Sequence, residues 1–163
     1  MRNNRTLRIS VLAVLAALTF VLGYFTKIPI PGGYFTLLDA GIFTTAMLLG
    51  RREGLIVGAL AGFLNDFLAG YAAYMFFNLV IHGLQGYLGA LSKNKILNYL
   101  LSGFVMVAGY FIADMVIAHS LGVALPDLLI NFVQTTAGFI IGLIISQILK
   151  KAGILNGLNA TKD

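Results

Sequence analysis

The sequence contains no cysteine and no tryptophan, and only 10% of its 163 residues are charged. Without cysteine there is no disulfide framework and no thiolate ligand for a metal. The shortage of charge excludes more. A soluble domain carries about 25% charged residues, and a small domain leaves much of its surface in water. This chain lacks the polar groups to cover such a surface. A disordered chain is excluded as well, because 59% of the residues are hydrophobic. No G-x-x-x-x-G-K-[ST] phosphate loop, H-E-x-x-H or G-x-S-x-G sequence occurs. The two His residues are far apart, so no transition-metal site is expected. Nothing supports enzymatic chemistry, and no cofactor is expected.

What the chain does have is apolar length. A transmembrane helix needs about 20 largely apolar residues, so six use most of the 163 and leave no room for a soluble module. Apolar runs bounded by charges, Gly/Pro clusters and polar turns predict spans near 7–25, 37–50, 55–70, 74–91, 97–121 and 125–149. The expectation is an all-α integral membrane protein, a single six-helix domain over 1–163 with a short basic segment 1–6 and a polar tail 152–163. The second and third spans are short, and Arg51-Arg52-Glu53 predicts a tight hairpin turn between them. Runs such as 11–20 and 139–145 do not alternate, which argues against a β-barrel.

Charge sets the expected orientation. Arg2, Arg5, Arg8, Arg51, Arg52, Lys93, Lys95, Lys150, Lys151 and Lys162 fall on one side of this scheme, and Lys27 alone falls on the other. The positive-inside rule then predicts a multi-pass protein of the cell membrane with both termini cytoplasmic. The net charge of +5 is accounted for by this topology and by attraction to anionic headgroups of the lipid bilayer, with no nucleic acid implied. The basic start and apolar run of residues 1–25 match a signal peptide, but no small-x-small cleavage site follows Leu22, so the segment is read as the first helix. The sequon at Asn159 and Thr161 falls in the tail predicted to be cytoplasmic. Tyr24, Tyr34, Tyr71 and Tyr74 fall at the predicted outer interface, and Tyr87 and Tyr99 near the inner one, as an aromatic belt requires.

Polar residues inside membrane helices are costly and face a cavity or a partner helix. Here they concentrate in the predicted outer halves: Asp39 opening the second helix, Asn65 and Asp66 late in the third, then Asn78, His82 and Gln85, then Tyr110, Asp114 and His119, then Asn131, Gln134 and Thr135. Asn78, His82 and Gln85 share one helical face, Tyr110 and Asp114 another, and Asn131, Gln134, Thr135 and Gly138 a third. Three polar stripes at one depth suit a small polar ligand entering from outside. Each residue also has a structural reading. Asp39 can be an N-cap, Asn65, Asp66 and His82 can bond neighbouring helices, and His119 and Asp127 can be solvated near the surface. The loop 26–35, with two prolines, Gly32-Gly33, Tyr34 and Phe35, reads either as a lid or as a proline-stiffened connection.

Small residues form stripes of their own. Gly54, Gly58, Gly62 and Gly70 recur at multiples of four, Gly83, Gly86 and Gly89 follow on the next helix, and Gly138 with Gly142 lies on the last; close internal packing is expected. Ala13, Ala16 and Ala17 make a small patch on a very apolar first helix, suited to docking another membrane protein.

These features together resemble the substrate-binding S components of energy-coupling factor (ECF) vitamin transporters, over nearly the whole chain. Residues 37–89 are similar to the riboflavin-transporter-like branch: an Asp-opening second helix, a short basic turn, and Gly-rich third and fourth helices. The Ala13-x-x-x-Ala17 step looks like the family's helix-one motif that contacts the coupling subunit. The resemblance implies capture of a vitamin or precursor from outside, with a transmembrane coupling subunit and two cytoplasmic ATPases as partners. It implies a site formed by the first outer loop and the outer halves of helices four to six, here Gly33, Tyr34, Asn78, His82, Asp114, Asn131 and Gln134. Family members that bind thiamine or riboflavin stack the ligand on rings including Trp, which this chain lacks. Carboxylate, amide and imidazole groups beside Tyr and Phe suit a small neutral or weakly basic heterocycle, hydroxymethylpyrimidine first and pyridoxine second. An anion such as pantothenate would want a cation, and Lys27 is the only one on that side. The alternatives are a self-sufficient small secondary transporter or channel, and a non-transporting membrane scaffold.

Overall fold

The computed structural model describes residues 4–30 and 33–153, with side chains described over 6–29 and 34–153. Pro31, Gly32, Arg2, Lys162, the sequon at Asn159 and most of the segments 1–6 and 152–163 lie outside the described residues. Among the described residues six helices form a bundle: α1 (Asn4–Phe25), α2 (Leu38–Leu49), α3 (Arg51–Ala69), α4 (Met75–Leu88), α5 (Lys95–Ile117) and α6 (Leu121–Lys151). Among the described residues, the α1, α5 and α6 segments are long and apolar enough to cross a membrane. The 31 residues of α6 extend about 46 Å, beyond the roughly 30 Å of a bilayer core. The 12 residues of α2 reach only about 18 Å. That helix is covered on every side, and its residues from Leu38 to Ala46 are all buried among α1, α3, α4 and α6. It is the core of the bundle.

Glycine is what lets the helices approach. A Cβ on Gly58 would strike the carbonyl oxygen of His82, and one on Gly54 would strike that of Gly86. A Cβ on Gly62 would come within 2.8 Å of the Asn78 oxygen. The α3 stripe therefore lies directly on the α4 backbone, as expected of an internal packing motif. Gly138 and Gly142 of α6 lie in the same way against Asp39, Ala40 and Phe43 of α2. At the far end of α1, Arg8 pairs with Glu53 and ties α1 to the first turn of α3.

The helix boundaries differ from the expected ones where a single residue sets the local backbone. Arg51-Arg52-Glu53 is no turn; it is the first turn of α3, where Glu53 faces the positive end of the helix dipole. The reversal falls on Gly50 alone, at φ 112°, whose N–H donates to Ala46 O at 2.9 Å. Asn94 caps α5, accepting from the N–H groups of Ile96 and Leu97 at 3.0 and 3.1 Å. That cap starts α5 earlier than expected. The chain leaves α5 at Ile117, and His119 takes φ 50° before α6 begins at Leu121 with Pro126 inside it. The expected all-α fold also needs one correction. The loop after α1 is a two-stranded antiparallel hairpin, β1 (Ile28–Ile30) and β2 (Gly33–Phe35), with Ile28 opposite Phe35 and Pro29 opposite Tyr34.

The hairpin marks one end of the bundle. There α1, α3 and α5 end and α2, α4 and α6 begin. Arg8, Arg51, Arg52, Lys93, Lys95, Lys150 and Lys151 lie toward the opposite end, while Lys27 stands at the hairpin.

Candidate ligand-binding site

The polar halves of the helices meet beneath the hairpin and enclose a cavity of about 100 Å³. One water needs roughly 10–15 Å³ on this scale, so the space suits a small single-ring molecule. Tyr34 and Thr36 contribute from the hairpin and the residue after it, and Asn65 and Asp66 from the end of α3. Asn78 and His82 come from α4, Tyr110 and Asp114 from α5, and Asp127, Asn131 and Gln134 from the start of α6. Tyr34, Asn78, His82, Asp114, Asn131 and Gln134 were all expected at a site, and the fold brings the six to one cavity wall. Gly33 lies in β2 beside Tyr34, and the surroundings of its α-carbon are outside the described side chains.

The hairpin is bonded onto this wall. The Thr36 N–H donates to Gln134 Oε1 at 2.8 Å, and the Leu37 N–H donates to Thr26 Oγ1 at 2.9 Å. Tyr34 and Tyr71 meet edge to face with ring centroids 5.0 Å apart. Lys27 Nζ lies 4.8 Å from the ring centre of Tyr24 and 5.1 Å from that of Tyr34, and donates to Asn65 O at 3.3 Å. Cation–π contact replaces part of the ammonium's lost hydration. Burial still draws the Lys27 pKa below its usual value, against the attraction of Asp66.

Below the cavity runs a chain of side-chain hydrogen bonds. Gln85 Nε2 donates to Asp39 Oδ2 at 2.8 Å and to Thr135 Oγ1 at 3.2 Å. Its Oε1 therefore faces His82 Nδ1 at 2.8 Å, which must donate. With its proton on Nδ1, a neutral His82 accepts at Nε2 from Tyr110 Oη, 3.0 Å away. Asp39 is thus no N-cap. Leu37 holds the cap position without a side-chain bond, and Asp39 is buried as the terminus of this chain. The wall above is equally ordered. Tyr74 Oη donates to Asp114 Oδ1 at 2.9 Å, Asn78 Nδ2 donates to Asp66 Oδ2, and Asn131 Nδ2 donates to Asp127 Oδ2 at 2.7 Å.

Several lining residues lie elsewhere than the sequence pattern predicts. Asp127 is buried on the cavity wall and not solvated, because α6 starts a full turn earlier than expected and carries it inward. Tyr71 and Tyr74, read as belt residues, line the cavity. So do Lys27, Thr36 and Leu38. The signal for Tyr74 was present, since Tyr74 and Asn78 share a helical face. His119 is exposed and lies apart from the cavity. The alanines expected to dock a partner are on α1, where Ala13 and Ala17 are exposed and Ala16 is half-buried.

A helical membrane bundle with its polar groups gathered round a cavity at one end defines a solute-binding membrane subunit. Residues 3–151 match the ECF-type riboflavin transporter S component family, and the chain belongs to that family. It is an S component, the substrate-capturing membrane subunit of an ECF vitamin transporter. The chain is also similar to the thiamine precursor transporter HmpT of Lactococcus lactis subsp. cremoris (strain MG1363), 46% identical over 160 residues covering 96% of each chain.

Proposed function

We propose that this S component captures a thiamine precursor, hydroxymethylpyrimidine, from outside the cell, with pyridoxine as the second choice. The observation that carries the reading is the cavity beneath the hairpin, sized for one ring and walled by carboxylate, amide and tyrosine groups. The similarity to the Lactococcus protein supports the choice of a thiamine precursor. Tyr34, Asn78, His82, Asp114, Asn131 and Gln134, with Gly33 in the covering strand, are the proposed contacts. Tyr34, Tyr71 and Tyr74 supply the stacking faces in a chain without Trp.

The hairpin end faces outside in this reading, and both termini are cytoplasmic across six crossings of the plasma membrane. The gathering of Lys and Arg at the opposite end supports that orientation. Delivery depends on a transmembrane coupling subunit, docked against Ala13, Ala16 and Ala17, and on two cytoplasmic ATPases. Calorimetric titration of the purified chain with hydroxymethylpyrimidine and pyridoxine tests the reading. Nanomolar binding of the pyrimidine by the isolated chain is expected. No binding across a broad vitamin panel would overturn it. Uptake into vesicles without ATPases would favour a self-sufficient transporter.

A further inference from the structure

We infer that the cavity selects its ligand by the hydrogen-bond donors the ligand carries, and that Asp114 distinguishes an amino-substituted ring from one bearing a carbonyl at the same position. The inference rests on the reading of this cavity as the substrate site.

Its basis is a set of buried atoms without partners. Among the described residues, Tyr34 Oη, Asn65 Oδ1, Asn78 Oδ1 and Asp114 Oδ2 are buried, unbonded, and belong to side chains that line the cavity. Asn65, Asn78 and Asp114 are 4%, 6% and 2% exposed, so bulk water does not satisfy them. The orientation of each group follows from its other bonds. Asn65 Nδ2 donates to two carbonyl oxygens, Ala61 O at 2.9 Å and Phe20 O at 3.4 Å, which fixes its oxygen as the free atom. Asn78 Nδ2 donates to the Asp66 carboxylate, which fixes the Asn78 oxygen likewise. Asp114 Oδ1 already accepts from Tyr74, and Oδ2 has no N–H or hydroxyl donor, its near neighbour being the carboxyl of Asp127 on the same wall.

The chain below extends the pattern. With His82 as the Nδ1–H tautomer, Tyr110 donates to His82 Nε2, and Tyr110 Oη then presents lone pairs to the cavity it lines. The unbonded atoms are thus mainly acceptors, and they demand N–H or O–H groups from the occupant. A site whose buried acceptors are matched by ligand donors rejects an analogue lacking them, because the acceptors are then left unpaired. An exocyclic amine places two N–H groups on one atom. A carbonyl in its place sets acceptor against acceptor at Asp114 Oδ2.

The experiment titrates the purified full-length chain with three pyrimidines that share a 5-hydroxymethyl group and carry amino, hydrogen or oxo at C4. The wild type is expected to bind the amino compound at least tenfold tighter than either other, about 1.4 kcal/mol. Asp114→Asn presents an N–H where the carboxylate presented a lone pair. It is expected to weaken the amino compound at least tenfold and to bind the oxo compound as well or better. Asp114→Ser, whose hydroxyl both donates and accepts, is expected to bring the amino and oxo affinities to within about threefold, and it serves where the carboxamide variant does not fold. Equal wild-type affinity for all three compounds overturns the inference while leaving the site reading intact. A wild-type order of preference that survives in both variants overturns the role of Asp114. Binding of none of the three overturns the site reading itself.

Discussion

A buried oxygen left without a donor costs about 1–3 kcal/mol, and the wall beneath the hairpin holds several. The protein tolerates such a cost where an occupant repays it, so truncating these groups should act on affinity before stability. Asn78→Ala and Asp114→Ala are each predicted to weaken binding of hydroxymethylpyrimidine at least tenfold, about 1.4 kcal/mol, as measured by calorimetry on the purified chain. Unchanged affinity in both would show that these side chains serve the helices alone. At this scale the sequence was legible for residues whose spacing forms a stripe, such as Asn78 with His82. It was illegible for Lys27 and Asp127. The place of Lys27 depends on the fold of the hairpin, which sets its ammonium over Tyr24 and Tyr34. The place of Asp127 depends on where α6 begins. Asp39 shows the limit from the other side. An Asp at a helix start fits an N-cap and a buried acceptor equally well, and only the approach of Gln85 from another helix decides between them.

Among the elements, α3 and α4 depend on one another most closely, since glycine lets their backbones touch. A Cβ on Gly58 meets a carbonyl oxygen of the neighbouring backbone, which cannot rotate away as a side chain would. Gly70 offers a contrast. It sits at φ 81° with nothing within 4 Å of its would-be Cβ, so alanine there meets only left-handed backbone strain. That strain costs about 1–2 kcal/mol, whereas forcing two packed helices apart costs about 1–3 kcal/mol or more. Because Gly58 opposes His82, parting the helices there also shifts a cavity wall. Gly58→Ala is therefore predicted to lower both the Tm and the ligand affinity, and Gly70→Ala to lower the Tm alone. Equal loss of affinity in the two variants would refute the argument. The helices were legible in the sequence because each is an apolar run bounded by charges, Gly/Pro clusters or polar turns. Their ends were not, because Gly50 and Asn94 set them by local backbone and capping geometry that hydropathy does not register. The hairpin escaped for a related reason, since three-residue strands are too short to show a period.

For the molecule as a whole, the two ends are given different work. The hairpin end holds the cavity, and α2, the shortest of the described helices, is enclosed by its neighbours as the floor that carries Asp39. The opposite end carries most of the described basic groups. Along α1 lies a third surface, long, apolar and mostly exposed. A lipid-facing helix needs no alanine patch, since larger apolar side chains meet lipid equally well. Small residues matter where another helix comes close. Ala13 lies well along α1 from Lys27 and contributes nothing to the cavity wall, so the two functions are separable by mutation. Ala13→Trp is predicted to leave ligand affinity within about twofold of wild type, because indole on an exposed face displaces nothing inside the bundle. The same substitution fills the space a partner helix needs, and co-purification with the coupling subunit and ATPases should fall at least tenfold, about 1.4 kcal/mol. Normal assembly with the Trp variant would place the docking surface elsewhere. Loss of ligand affinity together with assembly would show that α1 supports the cavity and is no independent face.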